Sequence, residues 1–342
     1  MPQWLEEVAE EEDIVISTRV RVARNLSKYK FPEYMNVEES DNLTLDILNV
    51  VKNDNIDEYE FKRLRDLNKN EQKVYVEDHL ISPGIIKNEV MSSFLLRKDE
   101  KATIMINEED HLRIQTLFAG LNLEKAWKLC TSIDDFLEEK LEYAYDADLG
   151  YLTACPTNVG TGLRASVMLH LPCVSMTGNI SVIIEGLRKV GLTARGLYGE
   201  GSEALGFLYQ ISNQVTLGDS EEEIIDKLNK VVHQILARER NTRSYLIEKR
   251  LVEMEDKVYR SLAALRYSRI LDSKEAMEHI SNVRMGQTMG ILKHLELGNA
   301  IKLMVDIQPG NIQRKLGKEM HSKERDIERA NMMREFTLKS EV

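Results

Sequence analysis

Hydrophobic and polar positions change their spacing along the chain, and the changes divide it into elements. Residues 14–26 (IVISTRVRVARNL) place β-branched side chains in alternation with Ser, Thr and Arg. A period of two predicts a strand with one polar, strongly cationic face. Residues 73–81 (KVYVEDHLI) and 101–107 (KATIMIN) read as two more strands, 152–154 as a short one and 164–171 (RASVMLHL) as another. Residues 192–198 and 207–215 complete the set, joined by a loop at 199–206. Residues 41–52 carry most of their apolar positions at helical spacing, and 123–145 reads as helical throughout. Residues 179–190 form a helix that Gly191 stops.

At Ser220 the texture changes. Ser220 with Glu223 three residues on is a capping box. Beyond it helical periodicity dominates, through Ile224, Leu228, Val232 and Ile235 and later Leu246, Met254, Val258 and Leu265. The expected class is α+β: an antiparallel sheet flanked by helices in residues 1–240, then a helical C-terminal domain in 241–342. The division is placed between residues 238 and 244. No internal repeat or low-complexity tract interrupts this plan.

Composition narrows the function classes. A length of 342 residues with 42% hydrophobic side chains suffices for two packed cores. The net charge of −11 argues against a general binder of nucleic acid or anionic membrane, although it leaves room for a local basic site. Cys130, Cys155 and Cys173 form no pair or cluster with zinc-ligand spacing, and an odd, sparse count suits a reducing cytoplasm. The acidic start MPQWLEEVAEEED lacks the apolar core of a signal peptide, and no stretch has the length of a membrane helix. The expected location is the cytoplasm.

Five arginines stand where a buried or loop position is expected: Arg19, Arg21, Arg113, Arg164 and Arg195. Two on one strand face is unusual, because a buried arginine requires a partner. The guanidinium fork matches phosphate oxygens and stays charged. Any one of them alone reads as a solvated or salt-bridged side chain; the set points to a phosphate polyanion. No GxxxxGK[ST] loop and no HRD or DFG element is present, which excludes the P-loop and conventional protein-kinase routes to ATP.

The loop Cys155-Pro156-Thr157-Asn158-Val159-Gly160-Thr161-Gly162-Leu163-Arg164 resembles the signature of the phosphagen (ATP:guanido) kinases. Ser17-Thr18-Arg19-Val20-Arg21 is similar to that family's first arginine pair, and Asn107-Glu108-Glu109-Asp110-His111-Leu112-Arg113 to its NEEDHLR element. Arg164-Ala165-Ser166-Val167 and Arg195-Gly196 followed by Glu200 continue in family order, over residues 14–215. In the small-molecule enzymes a helical domain of roughly a hundred residues, a normal independent size, precedes the first pair; here the pair is at Arg19, and the expectation is a chain without that domain. The long helical C-terminal part and Arg325-Asp326-Ile327-Glu328-Arg329-Ala330, similar to an RDxxRA motif, look like the bacterial protein-arginine kinase branch.

The resemblance implies ATP and Mg²⁺, the ion bridging phosphate oxygens with few or no protein ligands. It implies catalysis by Glu109 and Glu200 as a clamp on the planar guanidinium, Glu109 being the better match to the base. Cys155 is the third contact, electrostatic rather than nucleophilic. ATP would be held by Ser17, Thr18, Arg19, Val20, Arg21, His79, Arg113, Arg164, Ala165, Ser166, Val167, Met168, Arg195, Gly196, Leu197, Tyr198 and Gly199. Arg325, Asp326, Arg329 and Ala330 would line an allosteric phosphoarginine pocket; the plain alternative is a charged face on a last amphipathic helix. The implied substrates are proteins bearing arginine. The implied partners are a zinc-binding activator protein, a stress-gene repressor and the Clp protease machinery, with a homodimer as a further expectation. Two alternatives stay open: a kinase for free arginine or another small guanidine, and a non-catalytic adaptor that keeps the fold.

Overall fold

The alternation at residues 14–26 forms strand β1 (Val15–Arg24), whose faces divide as a period of two requires. Ser17, Arg19, Arg21 and Ala23 share one face, and Thr18, Val20, Val22 and Arg24 the other. Thr18, Val20, Val22 and Arg24 are almost wholly buried, whereas Arg19 and Arg21 are half-buried. The computed structural model describes residues 2–5, 10–53, 58–196, 204–293 and 300–339.

Four strands follow β1: β2 (Tyr59–Arg63), β3 (Ser93–Arg97), β4 (Ala102–Ile106) and β5 (Leu112–Ala119). Two short strands, β6 (Tyr145–Asp146) and β7 (Gly150–Tyr151), pair with each other as a separate ribbon. Then come β8 (Leu163–His170), β9 (Leu192–Gly196) and β10 (Leu208–Asn213). The eight long strands make one sheet in the order β2-β3-β4-β5-β1-β8-β10-β9. β1 pairs antiparallel with β5, and β3 pairs antiparallel with both β2 and β4. The expected antiparallel sheet flanked by helices is therefore the architecture found.

The helices are α1 (Val37–Asn53), α2 (Lys69–Glu77), α3 (Leu123–Glu138), α4 (Pro172–Met176), α5 (Ile180–Lys189), α6 (Glu221–Tyr267), α7 (Ser273–Thr288), α8 (Ala300–Asp306), α9 (Pro309–Leu316) and α10 (Ser322–Lys339). Three local expectations are corrected. The segment 73–81 lies mostly in α2 rather than in a strand, because Asn68 and Glu71 close a capping box that starts the helix at Lys69, four residues earlier. The helix expected over 123–145 ends at Glu138, and the chain turns so that Tyr143 donates its hydroxyl to Asp134 at 3.1 Å. Residues 152–154 form no strand: Leu152 N still donates to Ala144 O, but Asn25 donates to the Leu152 carbonyl and Ala154 donates to Asp110, so side chains end the ladder there.

The chain divides into two compact units. One comprises Met1–Val167, Gly191–Thr193 and Ser212–Lys230; the other Met168–Val190, Ala194–Ile211 and Val231–Val342. In the first, α3 covers β1 and β5 with Leu123, Ala126, Cys130, Ile133 and Leu137, spaced three and four apart as a packed helix face demands. In the second, α7 is buried on most of its circumference by Ala276, Met277, Ile280, Val283 and Met285. The Ser220–Glu223 capping box forms in both directions. The helix it starts, α6, is continuous except for a kink at Arg250. Among the described residues no helix is long and apolar enough to cross a membrane.

Candidate active site

Pairing of β1 with β5 sets Arg21 opposite Gln115 and Ala23 opposite Arg113, so Arg113 lies diagonally beside Arg21 on the same face. β8 is the next strand on the other side of β1 and adds Arg164. Burial comes first, and the charges of Arg19, Arg113 and Arg164 second, in holding the Arg21 guanidinium well below its ordinary pKa; Glu108 only partly opposes them. The Arg21 Nε has no hydrogen-bond partner. Guanidinium groups that repel one another in a half-buried place are arranged for a polyanion.

Beside them stands a carboxylate pair with unequal surroundings. Glu108 is 6% exposed, takes Arg113 Nη1 at 2.7 Å and accepts from the Ser82 hydroxyl at 2.6 Å. Glu109 is 44% exposed, with one oxygen 3.2 Å from Arg113 Nη2 and 3.4 Å from Asn158 Nδ2. Glu109 can therefore reach a group arriving from solvent, while Glu108 orients Arg113 and accepts from the backbone N–H of Glu109 at 2.9 Å. Asn158 also joins this carboxylate to the Cys155 loop: its own N–H donates to the Cys155 carbonyl at 3.0 Å. The Cys155 thiol is half-buried and lies 3.0 Å from Thr157 Oγ1.

A buried frame sets these positions. Asp110 Oδ1 accepts from Asn25 Nδ2 at 2.6 Å and from Ala154 N at 2.7 Å, tying the end of β1 to the Cys155 loop. His111 Nδ1 accepts from Leu26 N at 3.0 Å, so the ring proton sits on Nε2 and is donated to the Lys30 carbonyl at 2.7 Å. Burial pushes His111 down to about 4, against the pull of that carbonyl. The unfolded chain protonates this imidazole near pH 6.5 while the folded one does not, so stability is full above that pH and is lost as the pH falls toward 4. From pH 7 to pH 5 the expected loss is about 2 kcal/mol from this residue. Urea midpoints at the two pH values measure it, and His111→Gln, which keeps a donor for Lys30, should shrink it; an equal loss in the variant would contradict the assignment.

His79 is not in a strand but follows α2 with a left-handed backbone, φ 63°. Its ring meets Trp4 edge-on, centroids 6.1 Å apart, and burial together with Arg19 pushes it down to about 3. A neutral imidazole next to a phosphate-type arginine can pack on or hydrogen-bond a nucleobase.

The remaining sequence-derived residues divide. Ser17 shares the face of Arg19 and Arg21, and Ser166 shares that of Arg164, donating to the Arg19 carbonyl at 3.3 Å. Thr18 and Val20 point the other way; the Thr18 hydroxyl donates to Gly120 O at 2.6 Å. Ala165 and Val167 are wholly buried, and Met168 nearly so. Arg195 is exposed on β9 and Gly196 is half-buried. Leu197, Tyr198, Gly199 and Glu200 lie outside the described residues. On α10, Arg329 is 1% exposed and donates to the carbonyls of Ile307 at 3.0 Å and Leu271 at 2.8 Å and to Asp326 at 2.7 Å. Arg325 donates to the Met320 carbonyl, and Ala330 is wholly buried. Asn25, Glu108, Asp110, His111 and Asn158 have no role assigned from the sequence, although all but Asn25 stand inside the motifs around Glu109 and Cys155. Among the described residues no three or more His, Cys, Asp or Glu side chains cluster so as to hold a metal ion.

Residues 42–242 match the family model of the ATP:guanido phosphotransferase C-terminal catalytic domain, and residues 251–341 that of the protein-arginine kinase McsB C-terminal domain. The protein-arginine kinase of Clostridium kluyveri is 49% identical over 324 residues, 94% of each chain. That of Clostridium acetobutylicum is 46% identical over 337 residues, 98% of this chain and 99% of its own. Among solved structures, lombricine kinase superposes with a TM-score of 0.60 at 24% identity, covering 69% of each chain, which supports the fold. The chain belongs to the ATP:guanido phosphotransferase family and, within it, to the protein-arginine kinases.

Proposed function

We propose that the chain transfers the γ-phosphoryl group of ATP to arginine side chains of proteins. The observation that carries this reading is the convergence of Arg19, Arg21, Arg113 and Arg164 beside the solvent-facing carboxylate of Glu109. The arginines hold the phosphates and neutralise charge on the transferred group, where most catalysis of this reaction lies. Glu109 orients the acceptor guanidinium and takes its proton as the P–N bond forms; Glu200 is the second clamp and Cys155 the third contact. His79 serves the base, and Arg195 with Gly196 to Gly199 completes the phosphate contacts. Mg²⁺ would neutralise charge on the ATP phosphates and need few protein ligands, which suits a site whose nearby acids, Glu108 and Glu109, are already engaged by Arg113.

The names of the relatives support a protein rather than a free amino acid as acceptor. The match of residues 251–341 to a domain of that same branch supports residues 241–342 as its regulatory part. A cytoplasmic place in the bacterial stress response belongs to the same reading, with a zinc-binding activator, a stress-gene repressor and the Clp machinery as partners, a homodimer, and Arg325 to Ala330 as a phosphoarginine pocket.

The test incubates the purified protein with ATP, Mg²⁺ and casein, and in parallel with free L-arginine, and follows acid-labile phosphate. Label on casein is expected, lowered at least about 100-fold by Glu109→Ala, Glu200→Ala or Cys155→Ala. Label only on free arginine would replace the reading with a small-guanidine kinase, and label on neither with an adaptor.

A further inference from the structure

β1 carries a third arginine, and it faces away from the other two. Arg24 is 1% exposed; its Nη2 meets Asp134 of α3 at 2.6 Å, and its Nη1 donates to Thr161 O at 2.8 Å and Ala23 O at 3.0 Å. Its guanidinium carbon lies 3.5 Å from the centre of the Tyr151 ring. Burial works against this charge, but Asp134 and the phenols of Tyr151 and Tyr143 outweigh it and hold the pKa above its ordinary value. The group is a permanent cation: Asp134 and its own strand hold it in place, and its remaining hydrogen bond, to Thr161 O, and its stack, on Tyr151, both reach one segment.

That segment is the loop bearing Cys155. It leaves the β6–β7 ribbon at Tyr151 and returns at Gly160, and the two residues bridge, Tyr151 N donating to Gly160 O at 2.8 Å. Arg24 touches both ends: the ring of Tyr151 at the exit and the carbonyl of Thr161 at the return. The return is tight. Gly162 has φ 63°, and a Cβ there would stand 2.6 Å from Ala23 O and 2.7 Å from Arg24 Nη1, so only glycine lets the chain close on the guanidinium. Thr161 N in turn donates to Thr216 O at 2.9 Å, fixing the outer side of the same strand end.

We infer that Arg24 is a positioning residue of the transfer reaction: it clamps both ends of the 152–160 loop and so fixes where Cys155 stands relative to Glu109. The inference rests on the role of Cys155 given above. Arg24 makes no contact with the acceptor in this scheme; it acts through Tyr151 and Thr161. Its planar fork is needed because a stack and two in-plane bonds must form at once, which an ammonium group cannot do.

The experiment compares Arg24→Lys, Tyr151→Leu and Tyr151→Phe in the full chain. Each is measured for kcat and KM on casein, for ATP affinity, and for the rate at which iodoacetamide alkylates Cys155, with buried Cys130 and Cys173 as internal references. Arg24→Lys and Tyr151→Leu should lower kcat, by up to about 100-fold as for a catalytic group displaced by an ångström. They should leave ATP affinity within about twofold and accelerate Cys155 alkylation, whereas Tyr151→Phe, which keeps the ring, should restore both values. If Arg24→Lys fails to fold, the Tyr151 pair carries the test. Unchanged kcat with unchanged alkylation in the folded variants overturns the inference. Faster alkylation with unchanged kcat supports the clamp and overturns instead the part given to Cys155.

Discussion

Arg21→Met is expected to give a protein that unfolds later than the parent and transfers phosphate roughly 10²–10³-fold more slowly. Both effects come from the same contacts. A base whose folded pKa lies below its unfolded value opposes folding wherever it is charged, and burial with Arg19, Arg113 and Arg164 places Arg21 in that condition. Replacing it with an apolar side chain of similar length removes the repulsion, with a gain of roughly 0.5–2 kcal/mol, the usual return when a functional side chain that strains the fold is removed. The same repulsion is what bound phosphate relieves, so the variant should lose most of the stabilisation that ATP gives the parent. Thermal unfolding with and without ATP, alongside initial rates, reads all three quantities. Arg21→Lys keeps the charge without the fork and should fall between parent and Met in rate. A variant that unfolds earlier without ATP would show that Arg21 supports the fold rather than strains it.

Arg329→Ala should be among the most destabilising single changes in the chain, by about 3–5 kcal/mol. The side chain links three elements: α10 itself through Asp326, the turn before α7 through the Leu271 carbonyl, and the turn before α9 through the Ile307 carbonyl. Its removal leaves two buried carbonyls and one carboxylate without their donor. Arg325→Ala, which gives up a bond to the Met320 carbonyl, should cost only about 1 kcal/mol. Urea unfolding of both variants checks the contrast, and calorimetric titration with phosphoarginine adds the ligand. Retained stability with lost phosphoarginine binding would make Arg329 a ligand contact. The expected loss of stability would make it the internal brace of the helical region and shift ligand recognition to its neighbours.

The parts of the fold legible in the sequence are those where a local rule and the tertiary environment agree. β1 and β8 alternate because one face packs and the other carries Arg19, Arg21 and Arg164, and the period of two survives intact. The Ser220 cap announces α6. α2 looks like a strand in sequence because Val74 and Val76 imitate one, while the helix start is carried by Asn68 and Glu71, just outside residues 73–81. β2, β3 and β5 went unseen: β5 begins inside a run whose charges advertise chemistry, and β3 lies among neighbours that supply its hydrogen bonds only from a distance in sequence. In the site, side chains at motif positions were legible, but direction was not. A motif naming Thr18 and Val20 together with Arg19 and Arg21 cannot say that alternate residues of one strand part company. Asp110 and His111 show the reverse failure, since their work is done by buried bonds to Asn25, Ala154, Leu26 and Lys30, none adjacent to them in the chain.

That parting of faces limits how β1 can vary in length. Deleting a single residue such as Val22 leaves the chain two choices. Either the part before it rotates, carrying Arg19 and Arg21 into the packed side and Thr18 and Val20 out, or the part after it rotates and takes Arg24 from Asp134 and Tyr151. One choice empties the cationic surface and the other releases the cysteine loop, so no shorter strand keeps both. An extra residue at the 98–101 turn between β3 and β4 can be absorbed where it falls. β1 can therefore change by replacement of side chains, but an insertion or deletion in it is an error that no neighbouring adjustment repairs.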